Sequence, residues 1–274
     1  MKLKKWGALA AAGLLAASLS LFGCSSGGTT EGTTADEAGS YALVEAGKLT
    51  VAVSPDFPPF EMLEGDEYVG FDIELAKAIA EYLGLECEFT NLQFDAITPA
   101  IEAGGQADVG ISGITILPER EEQVDFSDVY YIADQSVAVM KGSEITKDNV
   151  DDALNAEGMV IAVQSGTTGE TFAQENFPNA TVQPYGNATD AFAALQAGQE
   201  SGEVDAVCMD KAVVERMLAE AYTDAEIVKN VATGEEYAVA VSKDNPGLLK
   251  AVNDALAALE ADGTIDDLIA QYLG

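Results

Sequence analysis

The chain has 274 residues, enough for two domains of ordinary size, and 48% of them are hydrophobic, enough to bury a sizeable core. Thirteen lysines and arginines oppose 47 aspartates and glutamates, a net charge of −34 that argues against a nucleic-acid partner and against electrostatic docking on anionic lipid. The absence of histidine removes imidazole acid–base chemistry and HExxH zinc motifs, and the three cysteines, Cys24, Cys87 and Cys208, lack metal-ligand spacing.

Lys2, Lys4 and Lys5 precede an apolar run from Ala8 to Phe22. A basic start followed by an apolar stretch too short to span a bilayer comfortably reads as a secretory signal over residues 1–23. It ends in Leu21-Phe22-Gly23-Cys24, which resembles a lipobox and implies cleavage before Cys24 and a diacylglycerol on its sulfur. An uncleaved anchor or an ordinary signal peptide with an incidental cysteine is the alternative. Acyl chains at Cys24 give lasting membrane attachment. Cleavage removes three lysines, leaving ten cations against 47 acids, a balance of −37. Residues 25–40 (SSGGTTEGTTADEAGS) contain no Val, Ile, Leu, Met or aromatic residue. They cannot bury apolar surface, so residues 24–40 read as a lipidated flexible tether.

From residue 48 the pattern alternates between strands and helices. Lys48–Val53 predicts a strand, and Asp72 is placed to N-cap a helix running to Leu83, stopped by Gly84. Glu86–Thr90 reads as a strand, Ala96–Ala103 as a helix with a Gly104-Gly105 stop, and Asp108–Ile111 as a strand entering Ser112-Gly113. Pro118-Glu119-Arg120 opens a short helix, with proline in its favoured first turn. After an extended apolar stretch from Tyr130 to Met140 the pattern restarts. Strands are predicted at Val160–Val163, Thr181–Gln183, Val204–Met209 and Tyr237–Val241. Helices follow Gly169 and are predicted at Thr189–Ala197, Lys211–Ala221, Pro246–Ala261 and Thr264–Tyr272. Such alternation implies α/β architecture with mostly parallel sheets, in which ligands sit where strand C-termini meet helix N-termini. Polar turns at Ser112–Thr115, Ser165–Gly169 and Met209-Asp210 fall at that kind of junction.

Arginine occurs at two positions, Arg120 and Arg216. Arg216 lies between Glu215 and Glu220 and reads as a solvated surface charge. Arg120 follows a turn with free amides and a hydroxyl at Gly113 and Thr115, a suitable receptor for a carboxylate. A surface ion pair with Glu119 or Glu122 is the plainer alternative. Ser165–Gly169 offers amides and hydroxyls for an anionic or amide oxygen, or simply caps a helix; no Gly-Lys-Ser/Thr follows, so it is not a Walker A loop. Asp210, after an apolar strand, is placed either to pair with an ammonium or to cap the next helix. Phe57, Phe60 and Phe94 offer aromatic walls or ordinary core packing.

Taken together, several stretches resemble the extracellular solute-binding proteins, family 3, the polar amino-acid type of ABC importer. They are FPPFE at 57–61, YVGFDIELAKAIAEYLG at 68–84 and FDAITPAIEAGGQADVGISGITILPEREEQVDFSDVYY at 94–131. QSGTTGE at 164–170, NFP at 176–178 and VDAVCMDK at 204–211 follow in order. The resemblance implies a bilobal, type II periplasmic-binding-protein-like fold, two α/β lobes joined by a two-strand hinge. Lobe 1 is expected over 41–131, lobe 2 over 132–235, and a return to lobe 1 over 236–274. It implies a non-enzymatic monomer, without cofactor or metal, that captures a free L-amino acid and delivers it to a membrane permease and its ATPase. The expected location is the outer face of the cell membrane, anchored through Cys24.

Position by position, the resemblance implies that Arg120 takes the α-carboxylate, with Thr115, the Gly113 amide and Thr168. Asp210 takes the α-ammonium, Phe57 and Phe94 sandwich the side chain, and Ser54 and Gln164 set its selectivity. Ser54 and Gln164 are neutral, which favours a polar uncharged ligand such as glutamine, while Asp56 and Glu61 nearby keep lysine and arginine open. Two other classes share these features: a same-fold dehydratase of the cyclohexadienyl type using Glu61 or Asp210, and a sensory lipoprotein that presents its ligand to a receptor kinase. Cys87 and Cys208 are expected in different lobes as two separate buried thiols.

Overall fold

A computed structural model describes residues 41–201 and 203–274, without the side chains of 199–201. The expected signal segment, Cys24 and the tether lie outside the described residues. No helix among the described residues is long and apolar enough to cross a membrane.

The first half is built on a five-stranded sheet. Its strands are β1 (Lys48–Val53), β5 (Glu86–Asn91), β6 (Val109–Gly110), β7 (Val124–Phe126) and β13 (Ala240–Ser242), in the order β5-β1-β6-β13-β7. β5, β1 and β6 run parallel, and β13 is antiparallel to both of its neighbours. β1 is buried on both faces, as a central parallel strand must be. Leu49, Val51 and Val53 share one core with Leu75 and Ile79 of α1 (Phe71–Tyr82) and with Leu248 and Val252 of α8 (Pro246–Ala261). Ala52 faces the other way, into a cluster with Ile97 and Ile101 of α2 (Phe94–Ala103). Asp108 ties the half together by accepting from the Val44 amide at 2.7 Å and the Thr50 amide at 2.8 Å.

The chain then enters β8 (Tyr131–Met140) of a second five-stranded sheet and returns along β12 (Ala225–Tyr237). Between these lie β9 (Val160–Gln164), α5 (Thr168–Asn176), β10 (Thr181–Tyr185), α6 (Ala188–Ser201), β11 (Ala206–Asp210) and α7 (Lys211–Glu220). The strand order is β10-β9-β11-β8-β12, with β8 antiparallel to both β11 and β12. Ile161 and Val163 pack with Phe177 on one face, while Ala162, Val207 and Met209 meet Phe192 and Leu195 on the other. β8 and β12 carry the two crossings between the sheets. Tyr131 pairs with Tyr237 there, and a register shift between Val231 and Glu235 interrupts the ladder.

Three departures from the sequence reading have local causes. A small sheet of β2 (Asp56–Phe57), β3 (Glu61–Glu64) and β4 (Glu67–Val69) was masked by prolines and acids that read as a loop. β12 extends over thirteen residues, although its polar composition disguised everything before Tyr237. Asp72 does not cap α1: Gly70 stands at the cap, and the Asp72 side chain points into the interior. Cys87 and Cys208 are both free, on β5 and β11; Cys208 is buried, whereas Cys87 is half-buried rather than enclosed.

Gly70 holds φ at +128° and lets the start of α1 dock on the preceding turn. There the Phe71 and Asp72 amides donate to the Pro59 and Phe60 carbonyls at 3.0 and 2.9 Å. A β-carbon at position 70 would lie 2.2 Å from the Phe60 carbonyl oxygen. Gly70→Ala should therefore lower stability by about 2–4 kcal/mol in urea unfolding. A loss below about 0.5 kcal/mol would mean that the turn relaxes freely.

Candidate functional site

Four segments leave the C-terminal edges of strands and converge between the two halves: Ser54–Phe60 after β1, Ser112–Arg120 after β6, Ser165–Thr168 after β9, and Asp210 at the end of β11. Arg120 lies on α3 (Pro118–Glu121), the short helix that proline opens. It is 8% exposed and is the one buried lysine or arginine among the described residues. One guanidinium nitrogen donates to the Thr115 carbonyl at 2.8 Å, and the other reaches across to the Gly166 carbonyl at 2.9 Å. Its carbon stands 5.2 Å from the centre of the Phe94 ring. A guanidinium has five N–H donors, so three remain for other partners. Burial pushes its pKa down, against the attraction of Glu119, Asp210 and Glu235. Arg120, Phe94 and Gly166 line a cavity of about 180 Å³.

Asp210 is 4% exposed and stands at the N-cap position of α7, but its side chain makes no capping bond there. Its Oδ1 accepts from the Tyr237 hydroxyl at 2.8 Å and from Gln135 Nε2 at 3.0 Å. Gln135 Nε2 also lies 3.0 Å from Glu235 Oε1 and 3.3 Å from Thr168 Oγ1. Thr115 donates to Glu235 at 3.2 Å. The network therefore joins three expected residues, Thr115, Thr168 and Asp210, through two that the sequence reading missed. Gln135 had a legible signal, a lone amide inside an apolar strand. Glu235 had none within its acidic surroundings.

Ser54 and Gln164 meet at Asp56, the nearby acid that kept lysine and arginine open in the sequence. Asp56 accepts from the Ser54 hydroxyl at 3.0 Å, from Gln164 Nε2 at a long 3.5 Å, and from the Ala188 amide of the other half at 2.5 Å. Burial raises its pKa to about 6, with the Ser54 and Ala188 hydrogen bonds pulling the other way. Gln164 Oε1 is buried without a partner. Phe57 stacks on Phe60 at 6.0 Å rather than standing free. Further bonds close the gap nearby: Ser165 to Asp95 at 3.1 Å and Gln93 to Asn187 at 3.2 Å.

The Gly113 amide, expected at a carboxylate, donates instead to Asp72 at 2.7 Å, and the Tyr130 hydroxyl donates to the same oxygen at 2.9 Å. Beneath it, Glu61 accepts from Ser112 at 2.5 Å, and Ser112 in turn accepts from the Ser54 amide at 3.1 Å. Glu61 and Asp72 are fully buried, and each keeps one oxygen, Glu61 Oε2 and Asp72 Oδ1, without a hydrogen-bond partner. Two neighbouring buried carboxyls disfavour each other's ionisation. Burial and the Asp72 charge push Glu61 well up, and burial raises Asp72 to about 6, so the proton resides on Glu61. No group of three or more His, Cys, Asp or Glu among the described residues could hold a metal ion.

Residues 49–274 match the model of a family described as bacterial extracellular solute-binding proteins, family 3. The ABC transporter arginine-binding protein 1 of Escherichia coli (strain K12) is 34% identical over 243 residues, 85% of this chain and 93% of that protein. An ancestral arginine-binding protein bound to arginine superposes with a TM-score of 0.74 at 37% identity, covering 83% of this chain and 99% of that one. The ancestral amino acid-binding protein AncCDT-1, a precursor of cyclohexadienyl dehydratase, superposes with a TM-score of 0.75 at 35% identity, covering 83% and 96%.

The Glu61 proton makes a pH prediction. A carboxyl whose folded pKa is raised above its ordinary 4.5 stabilises the fold below that value and loses the contribution as pH rises through the folded pKa. Glu61→Gln preserves shape and hydrogen bonding but has no proton to lose. The stability of E61Q relative to wild type, from urea unfolding, should therefore rise between pH 5 and pH 8. Parallel curves would place the proton elsewhere.

Proposed function

The chain belongs to the bacterial extracellular solute-binding proteins of family 3, and from that premise we propose that it captures one free L-amino acid between its halves for delivery to an ABC permease. Its relatives are amino-acid-binding proteins of ABC transporters, and its fold is their bilobal α/β fold. The observation that carries the reading is the position of Arg120 and Asp210, two oppositely charged buried groups at the same cleft. Arg120 takes the α-carboxylate with the donors not engaged by Thr115 and Gly166. Asp210 takes the α-ammonium. Because Arg120 bonds to both halves, ligand and closure stabilise each other, and only such differential contacts shift an open–closed balance. The site matches the charged ends of an intact amino acid, which supports capture over turnover.

The side chain of the ligand meets Ser54, Asp56 and Gln164. Neutral Ser54 and Gln164 favour glutamine. The Asp56 carboxylate between them, with no lysine or arginine in salt-bridge range among the described residues, and the unpartnered Gln164 oxygen favour a donor-rich side chain. A guanidinium supplies both donors and charge, so arginine ranks first and glutamine second. Residues 1–23 act as the signal segment, and Cys24 carries the lipid that tethers the body outside the membrane.

A thermal-shift screen of the twenty amino acids should give its largest shift with arginine, followed by glutamine. Asp56→Asn should weaken arginine at least tenfold more than glutamine in calorimetry; equal losses would remove Asp56 from the side-chain site. Cys24→Ser should move the protein from the membrane fraction to the soluble fraction, and retention in the membrane would overturn the lipid tether.

A further inference from the structure

Gln135 is fully buried, and its carboxamide lies between two acidic side chains. Its Nε2 has two hydrogens but three acceptors, Asp210 and Glu235 at 3.0 Å each and Thr168 at 3.3 Å. Two carboxylate oxygens each 3.0 Å from one nitrogen are at most 6 Å apart. Its own Oε1 has no partner. The cluster is short of both donors and positive charge.

We propose that Glu235 is a second carboxylate of the ammonium site, coupled to Asp210 through Gln135, and that capture of the ligand's α-ammonium expels a proton from this pair to solvent. The proposal rests on the amino-acid reading above and adds a residue and a proton to it. Before binding, buried Asp210 lies at most 6 Å from the half-buried Glu235 carboxylate and cannot ionise cheaply beside it, so Asp210 retains part of a proton. The ammonium supplies three donors and a charge, Asp210 ionises, and the proton leaves.

The titratable and charged groups facing the pair leave no other ready source. Tyr237 on β12 and Tyr131 on β8 are held neutral by burial. The Cys208 thiol on β11 is pushed up by burial, then by Asp210 and Glu235. Arg120 on α3 remains protonated. Asp134 on β8 accepts from the Gly234 amide at 3.3 Å at the edge of the turn. Burial first, then Glu235, raises Asp210 to about 7, against the Tyr237 hydrogen bond and Arg120. The pair should therefore release about half a proton at pH 7 on binding, and affinity should fall by up to about tenfold per pH unit below that.

Calorimetry of the full chain with L-arginine, or with L-glutamine if that binds tighter, in buffers of different ionisation enthalpy reads the proton directly. Wild type should release about 0.3–0.7 proton at pH 7. In Glu235→Gln the release should be smaller but not abolished, because burial still raises Asp210, and the acid limb of the affinity profile should move to lower pH. A merely structural Glu235 would weaken binding without moving that limb. Binding whose heat is independent of buffer overturns the proposal and leaves the amino-acid reading intact. Failure of all twenty amino acids to bind overturns both. If E235Q does not fold, the wild-type proton count alone decides.

Discussion

Arg120 is the buried cation around which the described acids are arranged, and much of the cleft's geometry depends on where its guanidinium points. It bonds to Thr115 in its own half and to Gly166 in the other, and it faces the ring of Phe94. Around it, Asp56, Asp210 and Glu235 are held in or beside the same gap with serine, threonine, tyrosine and amide donors in place of ion-pair partners. Desolvating charge in this way is unfavourable unless something returns the missing interactions. A zwitterion with a donor-rich side chain does so at three points.

The supporting layer explains how the gap keeps its shape. Glu61 and Asp72 link the turn after β1 to the turn after β6 through Ser112 and the Gly113 amide. Tyr130 closes the same network from the first crossing. These groups stand behind the expected ligand-contact residues and fix their relative positions without touching solvent. On the far side, Asp56 reaches the start of α6, and Asp95 reaches Ser165, so bonds made by the first half help to define the second.

Alternation of apolar strands and capped helices was legible in the sequence because each period is local: Lys48–Val53 and Pro246–Ala261 declare themselves within a few residues. The small β2–β4 sheet and the thirteen-residue β12 were not, because their polarity conceals strands that pair at an edge or across a crossing. Arg120 and Asp210 were readable from their positions after strands. Gln135 stands out as a lone amide in an apolar strand, but nothing within ten residues of it or of Glu235 places either beside Asp210; only the antiparallel pairing of β8 with β11 and β12 does. The Gly113 amide illustrates the converse. Its turn was placed correctly, but its donor is claimed by Asp72, a residue 41 positions away that local pattern made into a helix cap.

Calorimetry with L-arginine, its decarboxylated amine and its deaminated acid tests the central claim most directly, because each analogue removes one end of the ligand and leaves the side chain intact. Loss of the carboxylate should strand Arg120, and loss of the ammonium should strand the acids at Asp210, so each analogue should bind at least a hundredfold more weakly than arginine. An analogue that binds as tightly as the parent amino acid would contradict a cleft built around those two charges.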